Sequence, residues 1–160
     1  MESYRRLDNS CKEKILLEIE KIDNLIEKSS VLISKCNILE PDFIEVNAIG
    51  SVLHSFYNGL ESIFKLIYKS YNEKSLSSRM WHSELLTEMF KIRKNGTTVL
   101  SQELLNDLKE YLGFRHVFRH SYGYEMDWNR LAPLFKKMPI VWNNVKKCIL
   151  NFTNHESNAE

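Results

Sequence analysis

The sequence predicts an all-α protein, an up-and-down bundle of about five helices, and three observations support this class. Apolar residues recur at spacings of three and four along most of the 160 residues, which is typical of helices with one buried face. Two segments carry a helix-capping box. No run of alternating polar and apolar residues indicates a strand. The length suits one hydrophobic core, so we expect residues 1–160 to form a single domain.

Two long helices open the chain. The first is predicted over residues 10–37, because Ser10 and Glu13 have the spacing of a capping box. The second is predicted over residues 42–72, where Asp42 begins the same pattern. Its apolar residues alternate at steps of three and four without a miss, which is typical of a core helix packed along its length: Val46, Ile49, Leu53, Phe56, Leu60, Ile63 and Ile67.

Two shorter helices follow a polar loop. The third helix is predicted to start at Trp81 and to end at the Asn95-Gly96 pair, since glycine and asparagine are common at helix ends. Ser101 is a good cap for the fourth helix. We expect Gly123 to end that helix.

The last helical region is predicted to be broken. Asp127 is a suitable cap, but Pro133 and Pro139 each lack the amide hydrogen that a continuous helix needs. We therefore expect a short helix followed by a second one, and we expect the polar tail 153–160 to fray. The second helix would bury Val141, Val145, Ile149 and Phe152.

The composition excludes several classes of protein. Lys and Arg number 22 against 21 Asp and Glu, so no overall field attracts the chain to nucleic acid or to a membrane. The three cysteines, Cys11, Cys36 and Cys148, are an odd number without metal-ligand spacing, which favours a reducing compartment. No run of 18 apolar residues and no apolar leader is present. We expect a cytoplasmic protein with no cofactor and no membrane association.

The stretch from Phe114 to Tyr124 is the best candidate for a functional site. It contains two arginines, two histidines and two tyrosines within eleven residues. Such a cluster is costly to bury without partners, so a chain that only had to fold would seldom contain it. Basic residues also dominate around it. Between Gly113 and Lys137, five Lys or Arg side chains oppose two carboxylates.

On a helix, Arg115 and Arg119 share one face, and His116 and His120 share the adjacent face. Arginine matches the geometry of phosphate, and histidine can exchange a proton near neutral pH. These groups could serve RNA transesterification, with a base for the ribose 2′-hydroxyl and a cation for the phosphate. Arginine and histidine at a helix end also often cap carbonyls or pair with acids, and the residues alone leave this alternative open.

The signature Arg115, four residues, His120, one residue, Tyr122 matches the R-x4-H-x-Y motif of the HEPN superfamily. Similarity to one group of HepT-like toxins from toxin–antitoxin modules extends over further blocks in the same order. These blocks are residues 53–61, 81–86, 114–120 and 122–128.

This resemblance implies a helical homodimer with metal-independent endoribonuclease activity, in which Arg115 and His120 carry out cleavage of RNA, with tRNA as a candidate. Arg119, His116 and Tyr122 would then bind RNA or phosphate. The resemblance also implies an MNT-type nucleotidyltransferase as the antitoxin, which in some relatives adds AMP to the signature tyrosine, here Tyr122. The alternative is a non-enzymatic partner of a nucleotidyltransferase that binds nucleotide or RNA and is modified on Tyr122.

A metal site is a weaker alternative. His116 and His120 have a spacing that can bind a metal, and His54 or His82 could complete the ligands. No Glu-x-x-His motif accompanies them, so we predict no metal. For His54 and His82 the default interpretation is a hydrogen-bonded structural role.

Several polar residues outside the signature have two interpretations. Tyr57, Asn58 and Glu61 could support the signature arginine or histidine, although a solvated charge is the usual state of such a glutamate. A basic end on the third helix could contact RNA, or it could simply be favoured by the helix dipole. We prefer the second interpretation. This end consists of Lys91, Arg93 and Lys94.

Overall fold

The structure, a computed structural model, describes residues 7–120 and 126–154. Within these ranges the chain forms a bundle of five helices with one short β-hairpin, which confirms the predicted all-α class. The helices are α1 (Asn9–Cys36), α2 (Phe43–Tyr71), α3 (Trp81–Lys91), α4 (Gln102–His120) and α5 (Trp128–Asn154), and the hairpin strands are β1 (Arg93–Lys94) and β2 (Thr97–Thr98).

Helix α2 is the centre of the bundle, and it packs against the other four helices. All seven apolar residues of its predicted seam are buried, from Val46 to Ile67. The polar and charged side chains between these positions lie on the sides of the helix. Some of these side chains lie beside a neighbouring helix.

Helices α1 and α2 run antiparallel. Near one end, the Cys11 thiol lies 3.4 Å from the Ser70 hydroxyl, and at the other end Lys35 pairs with Glu45. The capping box of Asp42 and Glu45 is confirmed, since each side chain accepts a hydrogen bond from the other residue's backbone amide.

The predicted cap of α1 is wrong. Asp8, rather than Ser10, is the N-cap residue, and its carboxylate accepts a hydrogen bond from the Cys11 amide at 2.6 Å. Ser10 lies inside the first turn. Two cap-forming residues precede the same apolar face, and sequence spacing alone does not choose between them.

A small hairpin follows α3, where no strand was predicted. The Asn95-Gly96 pair forms its turn, with φ of 48° at Asn95 and 79° at Gly96. Positive φ at both central residues matches the twist of a two-residue hairpin. Helix α3 therefore ends at Lys91, and Asn95 and Gly96 connect β1 to β2 instead of capping the helix.

Helix α4 begins as predicted, because the Ser101 hydroxyl accepts a hydrogen bond from the Leu104 amide at 3.2 Å. It lies antiparallel to α2. Near its middle, the Tyr111 hydroxyl donates a buried hydrogen bond to the Leu134 carbonyl of α5 at 2.7 Å. The predicted terminator Gly123 is outside the described residues.

The predicted break in the last helical region is wrong, because α5 is continuous and contains both Pro133 and Pro139. The predicted cap is confirmed, since the Asp127 carboxylate accepts from the Asn129 amide at 3.0 Å. Apolar residues are buried on both sides of each proline, which offsets the cost of about 3 kcal/mol for a proline inside a helix. They include Leu131, Phe135, Met138, Val141 and Trp142.

None of the described helices is both long enough and apolar enough to cross a membrane. All three cysteines are free thiols. Burial raises the pKa of Cys36 and Cys148, so neither is disposed to act as a thiolate nucleophile.

Candidate functional site

Arg115 is held on the inner side of α4 by a carboxylate from α2. Its Nε atom lies 3.2 Å from Oε1 of Glu61, and the exposed fractions of the two side chains are 12% and 5%. A buried carboxylate is stable only when it is paired with charge or hydrogen-bonded. The solvated state that the sequence favoured for Glu61 is therefore wrong, and Arg115 does not belong to an exposed basic surface.

Asn58 connects this ion pair to His54. The Arg115 Nε donates a hydrogen bond of 3.4 Å to Asn58 Oδ1, and the amide nitrogen of Asn58 lies 3.1 Å from His54 Nε2. Because that amide nitrogen is a donor, His54 Nε2 must accept, and the neutral ring carries its proton on Nδ1. Burial, followed by the positive charges of Arg115 and Arg119, lowers the pKa of His54 and favours this neutral form.

His82 supplies a second contact to the buried carboxylate. Its Nδ1 donates to Glu61 Oε2 at 2.6 Å from the first turn of α3. The His82 ring also lies against Trp81, with ring centroids 3.5 Å apart. The hydrogen-bonded structural roles expected for His54 and His82 are confirmed, and Glu61 joins α2, α3 and α4 at one point.

Tyr57 lies beside the same cluster but is fully buried. Its hydroxyl makes no hydrogen bond to any residue that the structure describes. Burial and then the charge of Glu61 raise the pKa of Tyr57. The hydroxyl therefore stays protonated at neutral pH, and its ring is part of the packing beneath the ion pair.

The last turn of α4 is anchored by Phe118. Its ring centroid lies 4.8 Å from that of His54, and Gly50 permits the approach, because a Cβ atom there would be 3.2 Å from the Phe118 ring. With this face fixed, His116, Arg119 and His120 are exposed. The rings of His116 and His120 meet edge to face at 4.9 Å.

Arg115 and His120 point in different directions. Five residues along an α-helix correspond to a rotation of roughly 140° between side chains, and only Arg115 faces α2. His116, Arg119 and His120 thus form an exposed surface at the end of α4, with Arg115 fixed behind it. Tyr122, the third signature residue, is outside the described residues.

The weaker candidates from the sequence are separated from this cluster. Lys91 ends α3 and forms a surface pair with Glu88 at 3.4 Å, whereas Arg93 and Lys94 belong to β1. The expected basic end of one helix is therefore divided between two elements. Within residues 7–120 and 126–154, no group of three or more His, Cys, Asp or Glu side chains has a geometry that could hold a metal ion.

Sequence reasoning missed the connection from this cluster to Trp81 and Lys65. The Lys65 ammonium lies 4.3 Å from the centroid of the Trp81 ring. Lys65 follows Glu61 by four residues, so its place on the same side of α2 could have been predicted from helical spacing.

Comparison with curated proteins and with solved structures finds no match. The family model described as HepT-like protein matches residues 48–155. This range is more than half of the chain, and it includes nearly all of α2 and the whole of α3, α4 and α5. The cluster around Glu61 and the signature arginine and histidine all lie within it. The chain therefore belongs to the HepT-like family of the HEPN superfamily.

Proposed function

We propose that this protein is a metal-independent endoribonuclease, the toxin of a HEPN/MNT-type toxin–antitoxin module. The observation that carries this proposal is the arginine Arg115, fixed by the buried Glu61, behind the exposed His116 and His120 at the end of α4. Membership in the HepT-like family supports the same class, since this family is generally part of toxin–antitoxin modules.

The proposed chemistry is attack of a ribose 2′-hydroxyl on the adjacent phosphate. His120 accepts the hydroxyl proton, the 2′-oxygen bonds to phosphorus, and the bond to the 5′-oxygen breaks as that oxygen gains a proton. The products are a 2′,3′-cyclic phosphate and a free 5′-hydroxyl. Arg115 stabilises the charge on the phosphate oxygens through its planar guanidinium. Arg119, His116 and Tyr122 would bind the neighbouring phosphates.

A homodimer would complete this site. Within one chain, Arg115 and His120 point in directions roughly 140° apart, so one phosphate cannot easily contact both groups. Across a two-fold axis, the arginine of one copy can lie near the histidine of the other. Two histidines would also divide the roles of base and acid, which a single imidazole would otherwise perform in sequence.

The proposed antitoxin is an MNT-type nucleotidyltransferase that transfers AMP to Tyr122. An adenylyl group there would place a phosphate close to the basic end of α4 and would compete with RNA. Tyr122 follows His120 by only two residues in the sequence, which supports a modification that acts on the same site.

A second candidate is a non-enzymatic partner of a nucleotidyltransferase, which binds RNA or nucleotide and is modified on Tyr122. The deep placement of Arg115 favours this candidate, because its Nε edge is occupied by Glu61 and Asn58. In this case the ion pair only stabilises the packing of α4 against α2.

The deciding experiment is a gel assay of the purified protein on mixed tRNA in excess EDTA, together with His120→Ala and with His116→Ala as the matched exposed histidine. Cleavage by the parent and loss with His120→Ala would support the nuclease, and we expect a decrease of about 100-fold or more in rate. The intact mass of each sample identifies AMP. Unmodified parent protein that binds tRNA without cutting it would support the second candidate instead.

A further inference from the structure

A cleft separate from the end of α4 opens between the last turns of α2 and the start of α3. Its volume is about 750 Å³. Two aromatic rings and three lysines are among the side chains around it: Lys65, Tyr68, Lys69, Lys74 and Trp81. This combination of flat apolar surface and positive charge is the one by which proteins hold single-stranded nucleic acid.

The charge of the cleft is positive. Among the described residues that line it, three lysines oppose one carboxylate, that of Glu73, although the whole chain has a formal net charge of only +1. Lys69 and Lys74 are exposed, so their ammonium groups can reach a ligand without unfolding any element. The positive field is thus local, as phosphate binding requires in a chain that is neutral overall.

A chain of side-chain contacts joins the wall of the cleft to the cluster around Arg115. Trp81 stacks on His82, and His82 binds the same carboxylate that pairs with Arg115. Along α2, Lys65 follows Glu61 by one turn and Lys69 follows by two. Eight residues of helix span roughly 12 Å, so Lys69 lies about two turns along α2 from the carboxylate that holds Arg115.

We propose that this cleft binds the RNA strand next to the scissile phosphate, and that it thereby positions the substrate. Lys69 and Lys74 bind backbone phosphates, and Trp81 with Tyr68 gives a base an apolar surface. Lys65, which lies over the Trp81 ring, moves onto a phosphate as the base arrives. This inference rests on the proposed function, because RNA is the substrate in both.

The test measures binding of a fluorescent single-stranded RNA of roughly ten nucleotides, within the usual site size, by anisotropy in EDTA. All proteins carry His120→Ala, so the strand stays intact. Affinity is measured between about 50 and 200 mM KCl for three further changes. These are the pair Lys69→Ala/Lys74→Ala, the change Trp81→Leu, and a matched control pair on α1, Lys21→Ala/Lys28→Ala, whose lysines are also exposed.

Loss of two phosphate contacts should make the slope of log K against log salt shallower by about 1.4, since each contact to a single strand contributes about 0.7. We expect Trp81→Leu to weaken binding roughly tenfold with an unchanged slope. The α1 control pair should match the parent in both quantities. Circular dichroism checks that each variant keeps its helices.

An unchanged slope for Lys69→Ala/Lys74→Ala would overturn this proposal, and the proposed nuclease would stand if the unsubstituted protein still cleaves tRNA. A protein that neither binds nor cleaves RNA would overturn both proposals together. The α1 control pair could instead reduce the slope as much as the cleft pair does. RNA would then be attracted diffusely to the surface, and this result would also overturn the cleft as a site.

Discussion

Glu61 and Arg115 form an ion pair across two helices, with the Arg115 Nε atom 3.2 Å from the Glu61 carboxylate and both side chains largely removed from solvent. Removal of one partner of such a pair leaves an uncompensated buried charge. The pair also fixes the position of α4 against α2. Stability and the proposed catalysis therefore depend on the same contact.

The change Glu61→Gln keeps the shape of the side chain and removes its charge. We expect the free energy of unfolding to decrease by about 3 kcal/mol, because Arg115 loses its carboxylate and His82 its charged acceptor. RNA cleavage should decrease as well, since the guanidinium is no longer held. Urea denaturation and initial cleavage rates measure the two effects.

The matched control is Glu88→Gln, which removes a surface pair with Lys91. It should cost less than about 1 kcal/mol and leave cleavage unchanged. Parental stability and a parental rate for Glu61→Gln would show that this carboxylate does not hold Arg115.

The stability of the protein should depend on pH through His54. Its pKa is lowered in the folded state by burial and by the charges of Arg115 and Arg119, so below about pH 6.5 the unfolded chain takes up a proton that the folded chain does not. The contribution of His54 is complete above that pH. It is lost as the pH falls toward the lowered pKa of the folded state.

Replacement of His54 by glutamine removes this titration and keeps an acceptor for the amide of Asn58. We therefore expect His54→Gln to lose less stability than the parent between about pH 7.5 and 5. Urea denaturation at a series of pH values measures the difference. Equal losses in the two proteins would show that His54 titrates normally after folding.

Two glycines inside helices should respond to alanine in opposite ways. At Gly59, a Cβ atom would lie 2.8 Å from the Cγ1 of Ile22, a buried residue of α1, whereas at Gly113 it would meet no atom within 4 Å. Gly113→Ala should stabilise the protein by about 0.5–1 kcal/mol through lower backbone entropy of the unfolded chain.

Gly59→Ala should destabilise the protein by about 1–3 kcal/mol, because Ile22 has to move within a packed core. Thermal denaturation of the two variants beside the parent makes the comparison. A gain in stability at Gly59 would mean that α1 and α2 have more space between them than the structure shows.

The two possible caps of α1 can be separated by substitution. Asp8→Ala should reduce the free energy of unfolding by about 1 kcal/mol, since the Cys11 amide loses its acceptor. Ser10→Ala should have little effect, because Ser10 already lies within the helix and alanine is a good helix former. A lower denaturation midpoint for Ser10→Ala than for Asp8→Ala would show that Ser10 is the cap.

Local patterns predicted much of this fold correctly. The seam of α2, the capping box of Asp42 and the caps at Ser101 and Asp127 are all present. Each depends on residues within a few positions of one another, and helical periodicity describes such contacts well. The signature with Arg115 and His120 was found by its resemblance to the HEPN motif, which also consists of residues close together in the chain.

Two of the incorrect predictions share a physical cause. A break at Pro133 or Pro139 follows from the local cost of proline, but packing on both sides keeps α5 continuous. The solvated state expected for Glu61 follows from the usual preference of glutamate. Neither expectation takes account of groups contributed by distant parts of the chain.

By itself, the sequence determined the helical class, most helix boundaries and the basic, histidine-rich end of α4, because these depend on spacing within short segments. Only the tertiary structure decided that Arg115 is largely removed from solvent against Glu61, with Asn58 and His82 beside them. The physical reason is that a buried charge takes its partners from whichever helices pack against it. That packing is a property of the whole bundle rather than of any one segment.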